Sequence, residues 1–187
     1  MEFIKTDIEG VVLIRPVKHG DARGYFMETF KQAEFDAAIP GVNFVQANES
    51  LSSRGVLRGL HMQLGEWSQA KLVRVSRGKV VDVAVDMRPD SPTFGRHIAV
   101  ELSEDNAMQM FVPRGFAHGF IVLSDIAQFQ YRVDNVYAPQ AEITIRFDDP
   151  TLAVNWPDPG CELLLSARDS GALSFDQAME LITRGEK

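Results

Sequence analysis

The chain has 187 residues, of which 45% are hydrophobic and 24% are charged, a composition typical of a globular protein with a full hydrophobic core. Its formal net charge of -7 argues against a nucleic-acid-binding protein, which would need a basic surface to match the phosphate backbone. The single cysteine, Cys161, excludes an internal disulfide and a cysteine-based zinc site.

The N-terminal residues do not have the pattern of a secretory signal. Acidic Glu2, Asp7 and Glu9 stand where a signal peptide would carry basic residues followed by an apolar segment. No apolar run approaches the roughly 20 residues needed to span a membrane. We therefore predict a cytoplasmic protein with no membrane partner.

The first quarter of the chain predicts short elements. Residues 11–15 predict a strand, and 18–24, with two glycines, predict a loop. Residues 25–30 can be extended, and 31–39 predict a short helix that ends at Pro40-Gly41.

Short strands dominate from there to about residue 147. The candidates are 43–49, 56–63, 71–76, 79–87, 97–102, 108–112, 118–124, 127–133 and 142–147. The spacing leaves no room for crossover helices, so the pattern indicates an antiparallel β-sandwich or barrel. Arg77-Gly78 predicts one of its hairpins.

Alternation in residues 79–87 separates two faces of one strand. Val81, Val83, Val85 and Met87 share the face that we expect in the core, whereas Asp82 and Asp86 point to a face that is either solvated or functional. The tail differs, because Ser174 and Gln177 fit a capping box and apolar residues follow at helical spacing.

No repeat or composition break divides the chain, so we predict a single domain over 1–187. Its expected parts are an N-terminal segment (1–50), a β core (51–150) and a C-terminal segment with the helix (151–187).

The segment from Gly55 to Gln63 combines a cation and an imidazole with glycines. Arg58 offers a planar fork that suits phosphate or carboxylate, and His61 supplies an imidazole, a side chain that can act as a base. Taken alone, a histidine between two apolar residues is more often a hydrogen-bonded core residue than a catalyst. In an ideal strand Arg58 and His61 would face opposite sides, so both reach one ligand only if the backbone bends, and Gly59 is the expected bend.

A metal site is a natural alternative, because Gly55-x5-His61-x-Gln63 and Pro113-x-Gly115-x2-His118 resemble the two halves of the cupin metal-binding pattern. Gln63 stands where a second histidine would be a ligand, and Lys71 lies where a carboxylate is expected. A cation is a poor neighbour for a divalent metal, so we predict a metal-free pocket.

Without a metal, His61, Lys71, His118 and Tyr131 form a set that suits enolisation. Removal of a proton next to a ketone needs a base, a positive charge where the enolate oxygen develops, and an acid on the opposite face. His61, Lys71 and Tyr131 match these roles in that order. Each residue also has a plain structural alternative, such as a solvated strand end for Lys71.

The ordered motifs of the chain resemble those of the dTDP-4-dehydrorhamnose 3,5-epimerase family. They are Asp21-x-Arg23-Gly24-x-Phe26-x-Glu28, Gln46-x-Asn48-x-Ser50-x-Ser52, Gly55-Val-Leu-Arg-Gly-Leu-His61, Gln69-Ala-Lys71-Leu72, Val85-Asp-Met-Arg88, Ser91-Pro-Thr-Phe-Gly95, Pro113-x-Gly-Phe-Ala-His-Gly-Phe120, Tyr131, Tyr137-Ala-Pro139, Glu142 and Asp148-Asp-Pro150 through Trp156-Pro157.

The resemblance implies a mainly β, cupin-like jelly roll (double-stranded β-helix) that acts as a homodimer on dTDP-4-dehydro-6-deoxyglucose without a cofactor. It implies that His61 is the base, oriented by Asp169, that Lys71 lies at the C4 oxygen and that Tyr131 returns protons. The implied substrate contacts are Arg23, Glu28, Gln46, Asn48, Arg58, His118, Tyr137, Glu142 and Arg168.

The family exchanges its N-terminal segment in the dimer, so Arg23 and Glu28 are expected to act on the neighbouring subunit's ligand. Asp82 is expected either to support His118 or to be solvated. Departures from the family pattern, such as Met62 where an aromatic residue is frequent, remove no proposed catalytic group.

Several functional alternatives stay open. One is an epimerase acting on a single centre or on another nucleotide-linked 4-keto sugar, although retention of Tyr131 favours the two-centre reaction. Others are a catalytically silent nucleotide-sugar-binding cupin and a metal-dependent cupin dioxygenase or isomerase.

Overall fold

A computed structural model describes residues 1–185, which fold mainly into β-strands. The strands are β1 Glu2–Lys5, β2 Val12–Arg15, β3 His19–Asp21, β4 Gly24–Phe26, β5 Gln46–Ser53, β6 Leu57–Gln63, β7 Lys71–Arg77, β8 Lys79–Asp86, β9 His97–Ser103, β10 Gln109–Val112, β11 Phe116–Val122, β12 Ile126–Val133 and β13 Glu142–Thr144. The α-helices are α1 Gln32–Ala38, α2 Ala167–Ser170 and α3 Phe175–Gly185, and 3-10 turns occupy Gly65–Trp67 and Pro139–Ala141.

The strands form two large antiparallel sheets. One sheet has the order β1-β2-β10-β7-β12-β5, and the other has the order β13-β6-β11-β8-β9. Apart from β1–β2 and β8–β9, neighbouring strands are not consecutive in the sequence, as expected when the chain of a jelly roll crosses between its two sheets. The predicted mainly β, cupin-like fold class is confirmed.

The main hydrophobic core lies between the sheets, because its buried members come from both of them. Val73 and Phe129 of the six-stranded sheet and Val80 and Leu102 of the five-stranded sheet are at most 1% exposed. This packing fills one part of the sandwich and leaves the ends of β6, β7 and β12 around an open cavity.

Two helices cover the outer faces of the sheets. Helix α1 buries Phe35 against the six-stranded sheet, and α3 packs Ala178 and Ile182 on the five-stranded sheet. The predicted capping box begins α3, since the backbone N–H of Ser174 donates to Gln177 and that of Gln177 donates to the Ser174 hydroxyl. Within residues 1–185 no helix has the length and apolar character required to cross a membrane.

The predicted hairpin at Arg77-Gly78 is wrong, because the strands that flank this turn, β7 and β8, lie in different sheets and do not pair with each other. Three further details of the sequence-based prediction are also wrong. Strand β5 begins at residue 46 instead of 43, β1 lies in a segment for which no strand was predicted, and the predicted loop at 18–24 contains parts of the β3–β4 hairpin. All six residues of that hairpin are exposed, so its sequence has no buried face to produce apolar alternation.

Both faces of β8 are buried, which corrects the expectation that the face of Asp82 and Asp86 could be solvated. Each of these carboxylates has an exposed fraction of 0%. Strand β8 lies between β9 and β11, with the main core on one face and the α3 cluster on the other. A central strand covered on both sides tolerates a carboxylate only when the carboxylate has hydrogen-bond partners.

Candidate active site

A cavity of about 210 Å³ opens between the two sheets and collects most of the predicted site residues. Its lining consists of Ser50, Arg58, His61, Met62, Gln63, Gln69, Lys71, His118, Phe120, Phe129, Tyr131, Tyr137 and Glu142. A second depression, of about 320 Å³, includes Arg74 and Arg132 in its lining but no histidine or lysine. The predicted histidines, His61 and His118, and Lys71 therefore line the first cavity.

A bulge at Gly59 brings Arg58 and His61 to this same cavity. The pairing of β6 with β11 shifts register between His118, which faces His61, and Phe120, which faces Arg58. Gly59 has φ +135°, a conformation that favours glycine, and a Cβ at this position would lie 2.6 Å from Gly119 Cα. The predicted bend is confirmed.

His61 forms a hydrogen bond with Asp169, which α2 carries to the end of β6. The distance from His61 Nε2 to Asp169 Oδ1 is 2.6 Å, and the side chain of His61 keeps 26% of its surface exposed. Asp169 also accepts hydrogen bonds from the Ser166 hydroxyl and from the Gly59 N–H. Burial opposes ionisation of Asp169, but the hydrogen bonds from His61 and Ser166 outweigh it and hold its pKa below the usual value.

A second histidine–carboxylate pair lies deeper in the sandwich. His118 Nε2 is 2.8 Å from one oxygen of Asp82 and 3.0 Å from the other, and both residues are buried. Burial raises the pKa of Asp82, although the charges of His118 and Lys71 oppose this effect. Of the two sequence-based interpretations of Asp82, the one that supports His118 is confirmed.

Lys71 and Tyr131 complete the interior of the cavity from the six-stranded sheet. Burial lowers the pKa of Lys71 to about 8, while the negative charges of Glu142 and Asp82 favour its protonated form. Burial and the charge of Glu142 raise the pKa of the Tyr131 phenol. Near neutral pH this arrangement presents an ammonium group and a protonated phenol to the same space.

The rim of the cavity carries a small polar cluster. Glu142 accepts a hydrogen bond from the Tyr137 hydroxyl at 2.7 Å and forms an ion pair with Arg168. Arg58, which also lines the cavity, donates from Nε to the Ser52 hydroxyl at 3.1 Å. Two guanidinium groups and an exposed aromatic ring therefore surround the opening.

Gln46 and Asn48 lie on the edge strand β5, beside the cavity. Asn48 pairs with Tyr131 in the sheet and Gln46 pairs with Val133, so both side chains share the face that carries Tyr131. They contact each other at 2.8 Å from Gln46 Nε2 to Asn48 Oδ1.

Arg23 and Glu28 are not brought to the cavity within one chain. Arg23 forms an ion pair with Asp21 and has a side chain that is 89% exposed, and Glu28 lies 3.9 Å from Lys31. Neither side chain lines the cavity.

The family model of dTDP-4-dehydrorhamnose 3,5-epimerase matches residues 5–177. The chain belongs to this family. The Escherichia coli (strain K12) dTDP-4-dehydrorhamnose 3,5-epimerase is 47% identical over 182 residues, which cover 97% of this chain and 98% of the relative.

Two solved structures are also similar to this one. A dTDP-6-deoxy-D-glucose-3,5-epimerase from Legionella pneumophila Philadelphia 1, in complex with dTDP-4-keto-L-rhamnose, is 44% identical with a TM-score of 0.90, covering 94% of this chain and 93% of the other. A 3'-monoepimerase from Streptomyces bikiniensis, in complex with dTDP-quinovose, is 36% identical with a TM-score of 0.89, covering 95% and 90%. The predicted family, the epimerase function and its isomerase class are confirmed.

The two segments that resemble the cupin metal pattern do not supply a metal donor set in this family member. Gln63 uses both ends of its amide in hydrogen bonds to backbone groups. His118 is bonded to Asp82, and the ammonium group of Lys71 lies in the same cavity. Across residues 1–185, no group of three or more histidine, cysteine or acidic side chains is arranged to hold a metal ion.

Two residues of the site were missed by sequence reasoning. Ser166 binds Asp169, and the spacing Ser166-x-x-Asp169 is itself a helix-capping signal that could have revealed the contact. Gln63 was interpreted only as a lost metal ligand, because its three backbone partners lie in loops whose proximity the sequence does not encode locally.

Proposed function

We propose that this chain catalyses cofactor-independent epimerisation at C3 and C5 of dTDP-4-dehydro-6-deoxy-D-glucose, in the formation of dTDP-L-rhamnose. The observation that carries the proposal is that His61, which is hydrogen-bonded to Asp169, lines the same cavity as Lys71 and Tyr131. Family membership supports the substrate class, since relatives of the chain are named for this reaction and a similar structure holds dTDP-4-keto-L-rhamnose.

In the first step, neutral His61 removes the proton from a carbon next to the C4 ketone. The C–H electrons move into the ring and the C4 oxygen becomes an enolate, which the Lys71 ammonium stabilises. The proton resides on His61, and the ionised Asp169 stabilises the resulting imidazolium.

In the second step, the Tyr131 phenol donates a proton to the same carbon from the opposite face. The enolate electrons form the new C–H bond, the ketone returns and the configuration is inverted. The Tyr131 phenol carries the proton that this step needs at neutral pH, since burial raises its pKa from an ordinary value that already lies well above neutrality. C3 and C5 both flank C4, so one base and one acid can serve both centres, once His61 has released its proton to solvent and Tyr131 has regained one from solvent.

The rim residues are proposed to hold the nucleotide. Arg58 and Arg168 suit the diphosphate because guanidinium groups bind phosphate oxygens in a bidentate manner, and Glu142 holds Arg168 at the opening. Tyr137 is proposed to stack on the thymine, Gln46 and Asn48 to contact the nucleoside, and His118 to contact the sugar. These residue roles extend the resemblance to the positions that line or flank the cavity.

A homodimer is proposed to complete the site with Arg23 and Glu28 of the neighbouring subunit. Both residues lie on or beside a hairpin that leaves Tyr25 57% and Phe26 66% exposed, and such large exposed aromatic side chains favour an intermolecular contact. We therefore assign dimer contacts to the N-terminal segment, residues 1–50. A cytoplasmic location stays a prediction of the sequence.

Subunit mixing tests the shared site. If Arg23 acts on the partner's ligand, His61→Ala and Arg23→Ala proteins that are each weakly active should regain activity when mixed and allowed to exchange. Half of the dimers would then be mixed, each with one intact site, so activity should approach roughly a quarter of the wild-type value. Absence of recovery, with exchange verified by mass, would contradict the shared site.

The decisive test of function follows deuterium in the sugar by NMR. The protein is incubated with dTDP-4-dehydro-6-deoxyglucose in D2O, and label at both C3 and C5 supports the proposal. Label at one centre only would favour the alternative exemplified by the Streptomyces bikiniensis 3'-monoepimerase. Absence of label at both positions would refute the proposal and favour a silent binding protein.

Two further measurements test the separate roles of Tyr131 and His61 and the dependence of activity on a metal. Tyr131→Phe should slow epimerisation more than deuterium exchange, because it removes the proposed acid and leaves the base. Metal analysis of the active protein and assays with a chelator should show no dependence on Fe, Mn or Zn; loss of activity with chelator, restored by metal, would favour the metal-dependent alternative.

A further inference from the structure

Gln63 is a buried amide whose hydrogen bonds all go to backbone groups of two loops. The residue is 5% exposed and follows His61 by two positions on β6. Its Nε2 donates to the carbonyl oxygens of Trp67 at 2.7 Å and Val136 at 3.2 Å, and its Oε1 accepts from the N–H of Ala138 at 2.7 Å.

Two of these bonds bracket Tyr137. The carbonyl group of the residue before it and the N–H of the residue after it are both fixed by the same side chain. Tyr137 itself is 48% exposed, so about half of its surface has no packing contact, and its hydroxyl donates to Glu142. The hydrogen bonds from Gln63 to the flanking backbone therefore fix the position from which the Tyr137 side chain extends.

Few side chains could replace this amide. The site requires two N–H donors for two carbonyl oxygens and one acceptor for an N–H, which is the inventory of a carboxamide. A carboxylate would place its oxygens against two carbonyl groups. A neutral imidazole has one N–H, so the histidine of a metal-binding cupin would leave a carbonyl group without a donor.

We propose that Gln63 is a positioning residue for substrate recognition, which fixes Tyr137 at the mouth of the cavity at a set distance from His61. One strand, β6, then carries the proposed base and also sets the position of the ring proposed to stack on the nucleobase. The inference rests on the proposed nucleotide-binding role of Tyr137, but it requires no particular chemistry at the sugar.

The test compares Gln63→Met and the isosteric Gln63→Glu with Tyr137→Ala, using turnover kinetics and the affinity for dTDP alone. Loss of these hydrogen bonds should raise both KM for the dTDP-sugar and Kd for dTDP by roughly 5- to 30-fold, with kcat changed less than about threefold. In the double variant Gln63→Met/Tyr137→Ala, Kd should be no higher than in Tyr137→Ala, because Gln63 acts through that ring.

Thr93→Val is the matched control for loss of a buried polar group. Thr93 is 6% exposed, donates to Asp86 at 2.7 Å and does not line the cavity, so this variant should lose stability and keep KM unchanged. Independent, multiplicative effects of Gln63 and Tyr137 on Kd would overturn the proposal, as would a fall in kcat with unchanged KM.

The outcome is separable from that of the proposed reaction. If the protein fails to exchange deuterium into the sugar but its dTDP affinity shows the Gln63–Tyr137 coupling, the positioning role stands and the epimerisation does not. If epimerisation is observed and the coupling is absent, only the positioning role is lost.

Discussion

The molecule contains two histidine–aspartate pairs whose histidines line one cavity, and the surroundings of the pairs differ more than their bond lengths. The Nε2–carboxylate distance is 2.6 Å for His61–Asp169 and 2.8 Å for His118–Asp82. The side chain of His61 is 26% exposed, whereas that of His118 is 8% exposed. The first imidazole therefore remains more accessible to a ligand, and the second is largely enclosed by protein.

The two carboxylates also differ in how many donors they have. Asp169 receives hydrogen bonds from Ser166 and Gly59 besides His61, and its pKa is held down, whereas both oxygens of Asp82 contact the same ring nitrogen and burial raises its pKa. A histidine–aspartate pair thus favours proton abstraction when additional donors keep the carboxylate ionised and the ring faces a cavity. These criteria favour the proposed assignment of His61 as the base.

The largest expected effect comes from removing each imidazole in turn. His61→Ala should reduce deuterium exchange at C3 and C5 by at least about 10²- to 10⁴-fold, since it removes the general base. His118→Ala should weaken substrate binding but retain measurable exchange. NMR in D2O at saturating substrate measures both, and the opposite order of damage would assign the base to His118.

Substitution of the two carboxylates should produce the next largest difference between the pairs, smaller than that for the histidines. Asp169→Asn should lower kcat by roughly 10²-fold or more, because a neutral amide does not stabilise the imidazolium. Asp82→Asn should cost about tenfold or less, since its pair is proposed to bind and not to abstract. Steady-state kinetics of the two isosteric variants, with folding checked by circular dichroism, decide the point; equal losses would remove the distinction between the pairs.

The pH dependence of kcat/KM tests the role of Lys71, which lies in the same cavity as both histidines. Its pKa of about 8 means that it is protonated below pH 8 and loses its charge as the pH rises through that value. The logarithm of kcat/KM should therefore decline with a slope of about one above pH 8, because the enolate loses its positive partner. The weakly active Lys71→Met variant should lack this limb, and persistence of the limb there would assign it to another group.

Ser166 should have the smallest effect. Ser166→Ala removes one donor from Asp169 and should lower kcat by about 5- to 10-fold, with a stability cost of roughly 1 kcal/mol for the lost helix cap. Ser174→Ala, at the capping box of α3, is the matched control and should cost stability alone. Ser166→Thr should restore activity; equal kcat in Ser166→Ala and the wild type would show that the extra donor is not needed.

The sequence by itself determined the local properties of this protein. Apolar alternation and turn residues located most strands of the β core, the Ser174–Gln177 spacing placed the start of α3, and ordered motifs placed the chain in its family. These signals depend on neighbours along the chain, so they survive without knowledge of the fold. The same local argument failed at the β3–β4 hairpin, where no buried face exists to create a pattern.

The tertiary structure alone decided how the site is assembled. A bulge at Gly59 places the side chains of Arg58 and His61 at one cavity. Helix α2 brings Asp169, which lies more than a hundred residues further along the chain, into hydrogen-bond contact with His61. Asp82 is buried on β8 and forms its hydrogen bonds with His118 of the neighbouring strand β11. The packing of two loops against β6 places backbone groups within hydrogen-bond distance of Gln63. Such contacts depend on sheet register and long-range packing, which strand alternation cannot specify, because its period of two fixes the face of a residue and not its partner.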